Sequence, residues 1–457
     1  MKRIAFIMST FPTLTETFVA GEIKLLISHF QGSRIYSMRR PFDKTLHLES
    51  LELMKKTVYL PPPLSIACLK SNARWLIKQP IRCLRVLLYL MIHTIYNPIH
   101  LAKTVYLLPQ AAHLAELLQA SNIDHLHAHW SGYPTTVALA VSKLTGLSYS
   151  FTSHACDMSM IKTLVAEKIK NALFVLTCTA DALKFVRSFL PAEQINKIKV
   201  NYHGCNLQKF RSELRRPGGG SRSIIVSCAD LHERKGFPCL LQALAILQRE
   251  NVNFSCFIVG EGPQRPLLEK MIQTLGLQGR VMLPGAVTQE ELIEKYYAVA
   301  DIFVLPCMVQ RLRFFRKNVD LGRLKILECK MSRGESIQKD GIPNVLVEAM
   351  AMKIPVVSSE IAAIPELIKH NQNGLLSPQK DSETLARHLI LLIEDEKLRL
   401  RLGEAGCRTV HEFFDRSKNI RELLDIFSQA SSLYGRLGLP KTETETKPAG
   451  KALVHSS

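Results

Sequence analysis

Short apolar runs alternate with longer stretches of three-to-four-residue periodicity along most of the chain. Residues 2–9 are an apolar run that ends at Ser9, with Pro12 close behind, and read as a first strand; a leader needs a longer apolar core. Thr13 and Glu16 stand three apart before an apolar periodic stretch, the spacing of a capping box, and predict a helix to about residue 26. Residues 34–38 read as a second strand, and residues 45–120 are largely helical in pattern. Within that region Arg74, Lys78, Arg82 and Arg85 stand among Trp75, Leu76, Ile77, Leu84 and Val86, an amphipathic pattern suited to an acidic interface or to ordinary packing on a core. Strand patterns resume at 124–128, 149–153, 174–178 and 198–201. Pro217 and three consecutive glycines then mark a flexible connection over 210–223. A second series places strands at 223–229, 254–259, 280–283, 302–305 and 356–358, with helices at 236–249, 265–275, 290–297, 345–352 and through 382–437. Strands alternating with helices predict an α/β protein with parallel sheets covered on both faces. Two series joined by one linker predict two Rossmann-like domains facing each other across a cleft, with ligand at the strand carboxyl ends. The expected limits are 1–205 and 223–410, a linker at 206–222, a terminal helix at 411–437 and a polar, disordered tail at 438–457.

Composition narrows the class without naming it. An apolar share of 47% and a charged share of 22% exclude a disordered or fibrous chain. The eleven cysteines show no C-x-x-C pair, and Cys156, Cys178, Cys228 and Cys256 lie in apolar runs, as expected of buried thiols in a reducing compartment. No zinc spacing is visible. The most apolar stretch, 86–108, is interrupted by His93, Asn97, Pro98, His100 and Lys103 and lacks the length of a membrane span. These readings predict a cytoplasmic protein, peripheral at most to the inner face of a plasma membrane.

The formal charge of +19 is uneven, with 27 basic and 12 acidic residues over 1–216. Such a surplus suits a phosphorylated acceptor or an anionic membrane surface. Nucleic acid is not expected, because aromatics are not interleaved with the basic residues and no binding module is recognisable. Residues 307–339 form a further basic segment, which reads as a flap toward membrane or acceptor or as a surface excursion.

The densest chemistry lies at 340–348. Asp340 precedes a glycine turn, Pro343 falls near a helix start, and Glu348 lies one turn inside the helix. Free N–H groups at Asn344 and Val345 suit a phosphate, and the two carboxylates suit ribose and sugar hydroxyls. This segment resembles the E-x7-E element of glycosyltransferase family 4, with Asp340 in place of the first Glu. Val259 to Pro263 resembles the family's V-G-x-G-P turn, and Asp301 to Pro306 its A-D-x-x-x-x-P strand. Ile364, Pro365 and Glu366 with Asn373 and Gly374 resemble its I-P-E and N-G run, and His203 to Phe210 the segment before the hinge. The first half, with Ser9 to Phe18 and His127 to Trp130, is similar to bacterial exopolysaccharide enzymes of the colanic-acid type.

The resemblance implies a GT-B fold whose last helix crosses back to the first domain. It implies a retaining transfer of sugar from a nucleotide-diphosphate sugar to a lipid-linked oligosaccharide, without a cofactor or metal. By position, Lys235 matches the family's diphosphate lysine, while Asp230 falls where the family has arginine, with Arg234 or His232 as compensating groups. His154 matches the first-domain active-site histidine, and Asp157 follows it. Gly260, Gly262 and Val287 fall on the donor side, and Thr10, Glu16 and His129 on the acceptor side. The alternative is a catalytically impaired GT-B scaffold, suggested by Asp230 and by the insertion before Asp340.

Overall fold

The computed structural model describes residues 3–13, 16–41, 48–154, 157, 164–188, 190–216, 222–312 and 336–436. The first sheet holds β1 (Ile4–Thr10), β2 (Arg34–Arg39), β3 (Thr57–Tyr59), β4 (His125–His129), β5 (Ser148–Ser153), β6 (Val175–Thr177) and β7 (Ile198–Val200). Its order is β3-β2-β1-β4-β5-β6-β7, and every neighbouring pair is parallel. The second sheet holds β8 (Ser223–Cys228), β9 (Phe254–Val259), β10 (Val281–Gly285) and β11 (Ile302–Leu305), with two further strands described below. Ile4 to Met8 are wholly buried because helices cover both faces, so β1 reads as a continuous apolar run.

After β11 the chain forms a short antiparallel pair, β12 (Gln310–Leu312) with β13 (Ser336–Gln338). The pair closes the base of the basic segment, whose residues 313–335 lie outside the described residues, as does the expected disordered tail. The second sheet is completed by β14 (Val356–Ser359) and β15 (Leu375–Ser377), in the order β10-β9-β8-β11-β14-β15, all parallel. Strand order reverses between β1 and β4 and between β8 and β11. Loops leaving those strands therefore diverge and open a crevice at the carboxyl ends.

Three local expectations differ from the structure. Thr57–Tyr59 forms an edge strand inside the helical region, too short for periodicity to reveal. The helix expected at 290–297 starts as one α-turn at Gln289–Glu291 and continues as a π-turn and a 3₁₀-turn. The capping box does not form: Glu16 itself occupies the N-cap of the helix Thr17–His29, and no side chain caps it.

The chain passes between the domains twice at one place. The backbone N–H of Cys205 donates to the Phe414 carbonyl at 2.7 Å, and that of Arg416 to the Cys205 carbonyl at 3.0 Å. Gly204 permits this approach, since a Cβ there would lie 2.2 Å from the Arg416 Cα. The terminal helix Arg416–Arg436 then returns to the first domain, where Leu423, Phe427 and Ala430 are buried with Phe6, Ile23 and Phe30. Residues 206–216 pack against the second domain: Phe210 is in its core, and Arg215 donates to the carbonyls of Ala300 and Lys353.

Candidate active site

Between the domains lies a cavity of about 450 Å³. The loop after β8 supplies its charged wall. Gly236 ends a 3₁₀-turn at φ 72°, where a Cβ would meet the Pro306 carbonyl oxygen at 1.8 Å. Only glycine allows that approach of the two crossover loops, and it places Arg234 and Lys235 toward the cavity. Lys235 Nζ lies 3.0 Å from Asp340 Oδ2 and 3.5 Å from Asp230 Oδ1. Arg234 donates to Asp230 Oδ2 at 2.6 Å and to Asp340 Oδ1 at 3.1 Å. Two cations thus face two carboxylates in a closed quartet. Burial opposes the charged form of Asp340, but the Lys235 and Arg234 charges outweigh it and hold its carboxyl below the usual range. Burial also disfavours the Lys235 cation, and Asp340 outweighs that, so the ammonium titrates above its ordinary range. Asp230 is therefore matched by Arg234, one helical turn away in sequence. His232 lies farther off, with Nε2 at 3.7 Å from Asp230.

The helix Asn344–Ala351 starts at the cavity wall, with Pro343 at the N-cap, beside the helix start as expected. No side chain caps it, so its first N–H groups and dipole face the cavity. Glu348 is buried one turn in and accepts from Gln289 Nε2 at 3.0 Å. Burial pushes its carboxyl up to about 7, against that hydrogen bond and the Arg416 charge. Near neutral pH it exchanges a proton readily and can accept from a vicinal diol. Gly260 and Val287 line the same side. Gly262 does not reach the cavity; it lets its turn pass Leu231, whose backbone N and O would lie 2.7 Å from a Cβ.

Opposite, the first domain presents a file of histidines. His129 Nδ1 is 3.2 Å from His154 Nε2, and His154 Nδ1 is 3.0 Å from His203 Nε2. The rings stack, and Trp130 and Phe18 flank His154. Burial, reinforced by the neighbouring imidazoles, holds His154 well below its ordinary range, so the ring is neutral. Both its nitrogens are engaged by other histidines. His154 and His203 line the cavity, whereas His129 is wholly buried behind them. His203 comes from a segment distant in sequence, and only the fold brings it here.

Glu16 and Trp130 also line the cavity, but Thr10, at the end of β1, does not. Asp157 does not touch the His154 side chain. It accepts from the Ser131 N–H at 2.6 Å and from Ser153, and so pins the loop after β4. The domains are tied beside the cavity by Glu366, which accepts from the N–H groups of Ala180 and Asp181 at 2.8 and 2.7 Å and from the Tyr202 hydroxyl at 3.0 Å. Two histidine groups are compact enough to share an ion, His154 with Cys178 and His203, and Glu22 with His127 and His129. Their spacing in sequence gives no sign of this, since each draws on segments far apart. Both nitrogens of His127 already engage the Ser150 and Thr152 hydroxyls.

Beneath the file, Glu22 Oε1 lies 4.0 Å from His129 Nε2, and neither atom has a hydrogen-bond partner among the described residues. Burial pushes the Glu22 carboxyl up to about 8, against the pull of Arg416. The folded protein therefore binds a proton here that the unfolded chain releases above its ordinary value of 4.5. Stability falls as pH rises through 4.5 to 8. Glu22→Gln removes that dependence. Its melting temperature should match the parent at pH 4 and exceed it at neutral pH, by about 3 kcal/mol in stability. Parallel melting curves for the two proteins across this range would sink the assignment.

Residues 211–409 match the family model described as glycosyl transferases group 1. That stretch is similar to the group 1 glycosyl transferases. It contributes the quartet, the helix Asn344–Ala351 and the Val287 turn. The chain is 32% identical to the amylovoran biosynthesis glycosyltransferase AmsK of Erwinia amylovora over 54% of this chain and 53% of that protein. It therefore spans about half the length of that relative. It is 26% identical to a GDP-mannose-dependent alpha-(1-6)-phosphatidylinositol monomannoside mannosyltransferase of Mycobacterium tuberculosis, over 61% of this chain and 69% of the other. Among solved structures, Anabaena Alr3699/HepE, in complex with UDP and glucose, superposes with a TM-score of 0.63 at 16% identity, covering 94% of this chain and all of that one. The architecture is GT-B: two Rossmann-like domains, with the stretch that matches the family model in the second and the final helix returned to the first.

Proposed function

We propose that this protein transfers a sugar from a nucleotide-diphosphate sugar to a lipid-linked saccharide, with retention at the anomeric carbon, in exopolysaccharide, capsule or lipopolysaccharide synthesis. The observation that carries this reading is the quartet of Asp230, Arg234, Lys235 and Asp340 beside the open start of the helix Asn344–Ala351, facing His154 across the cavity. In this reading the base rests on the turn at Val287, the ribose diol on Glu348, and the diphosphate between the helix start and Lys235. The sugar lies toward Asp340 and the His154–His203 pair, and the acceptor enters past Glu16 and Trp130. The acceptor oxygen bonds to the anomeric carbon on the face that the phosphate leaves. The carbon–phosphate-oxygen bond breaks, and the acceptor proton passes to the departing phosphate oxygen. The protein acts chiefly by stabilising the charge that grows on the diphosphate.

AmsK supports a polysaccharide product, the mycobacterial relative a lipid acceptor, and the HepE complex a nucleotide-linked donor. The chain works at the cytoplasmic face of the membrane as a peripheral protein. One observation favours the impaired scaffold instead: in the free cleft both cations are already paired with carboxylates. A screen of UDP-, GDP- and ADP-sugars for binding and hydrolysis tests both readings. Binding with slow hydrolysis of one donor supports the enzyme, binding without any turnover supports the scaffold, and binding of none overturns the nucleotide-sugar site.

A further inference from the structure

The described residues include twenty large apolar side chains that are exposed, and fourteen of them fall within residues 64–106. They belong to three neighbouring helices, Ile66–Lys78, Pro80–Ile92 and Pro98–Gln119, and to the turns beside them. On the second helix Ile81, Leu84, Leu88 and Ile92 follow one another at helical spacing and form a single outward stripe, while Val86 and Leu90 point into the core. On the first helix the inward face is Cys68, Ser71 and Trp75, and Ile66 and Ile77 are 73% and 80% exposed. These helices are thus apolar on a face that nothing in the chain covers among the described residues. A soluble monomer seldom leaves so much apolar surface in one region.

The charge carried by this stretch of the chain is of one sign. Residues 53–115 contain eight Lys and Arg and no Asp or Glu. Lys70, Arg74 and Lys78 stand four apart along the first helix, between its buried seam and its exposed apolar arc. Lys70, Lys78, Arg82 and Arg85 are exposed, and Arg74 reaches Glu116 at 2.7 Å. Basic groups bordering an outward apolar stripe match the interface of an anionic bilayer, where apolar side chains sink below the headgroups and ammonium and guanidinium groups meet phosphate. Two copies of this surface would instead set basic residues against basic residues. None of the helices is apolar and long enough to cross the membrane.

We propose that the helices Ile66–Lys78, Pro80–Ile92 and the first turns of Pro98–Gln119 form a docking surface that lies in one leaflet of an anionic membrane. The surface adjoins the helix that follows the cavity-lining residue Trp130. The Lys103 ammonium sits over the Tyr133 ring at 5.7 Å, and Tyr133 opens the helix that follows the Trp130 loop. Docked this way, the first domain holds the rim of the cleft close to the headgroups, from which a lipid-linked acceptor reaches Glu16 and Trp130. The proposal deepens the functional reading by naming the surface that meets the membrane, and its test needs no donor.

The test is flotation of the full chain with vesicles of phosphatidylcholine alone or mixed with phosphatidylglycerol. Binding should be at least about tenfold stronger to the mixed vesicles and should fall as salt is raised. The double variant Ile77→Glu and Ile81→Glu should lose binding by about tenfold or more, with an unchanged circular dichroism spectrum, because both side chains project into solvent. Equal recovery with both vesicle types, or full binding by the double variant, overturns the proposal. So does a concentration-dependent dimer that the variant dissociates while the parent ignores vesicles. Sugar transfer by a chain that fails to float would remove the docking surface and leave the glycosyltransferase reading intact.

Discussion

Lys235→Ala should lower kcat/KM for sugar transfer by about 10²- to 10³-fold, mostly in kcat, the scale of removing one preorganised group from developing charge. Lys235 is buried at the cavity wall, with its ammonium fixed 3.0 Å from Asp340. A cation held this way needs no reorganisation when negative charge grows on the leaving diphosphate. Arg234 still contacts both carboxylates in the variant, so the fold should survive. Lys235→Arg keeps the charge but exchanges a compact ammonium for a planar fork, and should recover only part of the rate. Steady-state kinetics beside a donor-binding isotherm decides the matter. A variant that turns over at the parental rate would remove Lys235 from the chemistry.

Asp340→Asn should damage stability and transfer together. Asp340 receives Lys235 and Arg234 at 3.0 and 3.1 Å, and its loss leaves a quartet of two cations and one carboxylate. Removing one partner of a buried pair costs roughly 3 kcal/mol or more, readable as a lower denaturant midpoint. The same change gives the cleft a net positive charge, so a nucleoside diphosphate alone should bind as tightly as to the parent or tighter. Transfer should nonetheless fall by about 10²-fold, because the amide no longer offers a carboxylate to the sugar hydroxyls. That split separates a sugar-positioning role from simple unfolding. Weaker diphosphate binding with transfer preserved would contradict it.

Most strands were legible because a doubly covered parallel strand is apolar along its whole length. Residues 254–259 and 302–305 were read with the bounds the structure gives them. The three-residue edge strand Thr57–Tyr59 carries too little pattern to be seen. The donor side of the site was legible for a similar reason: Asp340, Asn344 and Glu348 sit on one turn-and-helix unit, so spacing alone sets their geometry. The acceptor side was not. Thr10, Glu16 and His129 were placed on the acceptor side through the resemblance, yet of the three only Glu16 lines the cavity.

By itself the sequence determined two Rossmann-like sheets, the loops that leave their switch points, and the carboxylates Asp340 and Glu348 at and inside the start of one helix. These follow from local periodicity and from spacing within single elements. The tertiary structure decided whether those groups face one another. It set Arg234 against Asp230, so that a carboxylate in the cavity wall is neutralised. It carried His203 to His154 and left Glu22 buried under His129. It also left the face of Ile77 and Ile81 bare. A helix pattern records which positions are apolar, whereas burial depends on what the rest of the chain lays over them. Here the chain lays nothing over that face among the described residues, and basic residues border it.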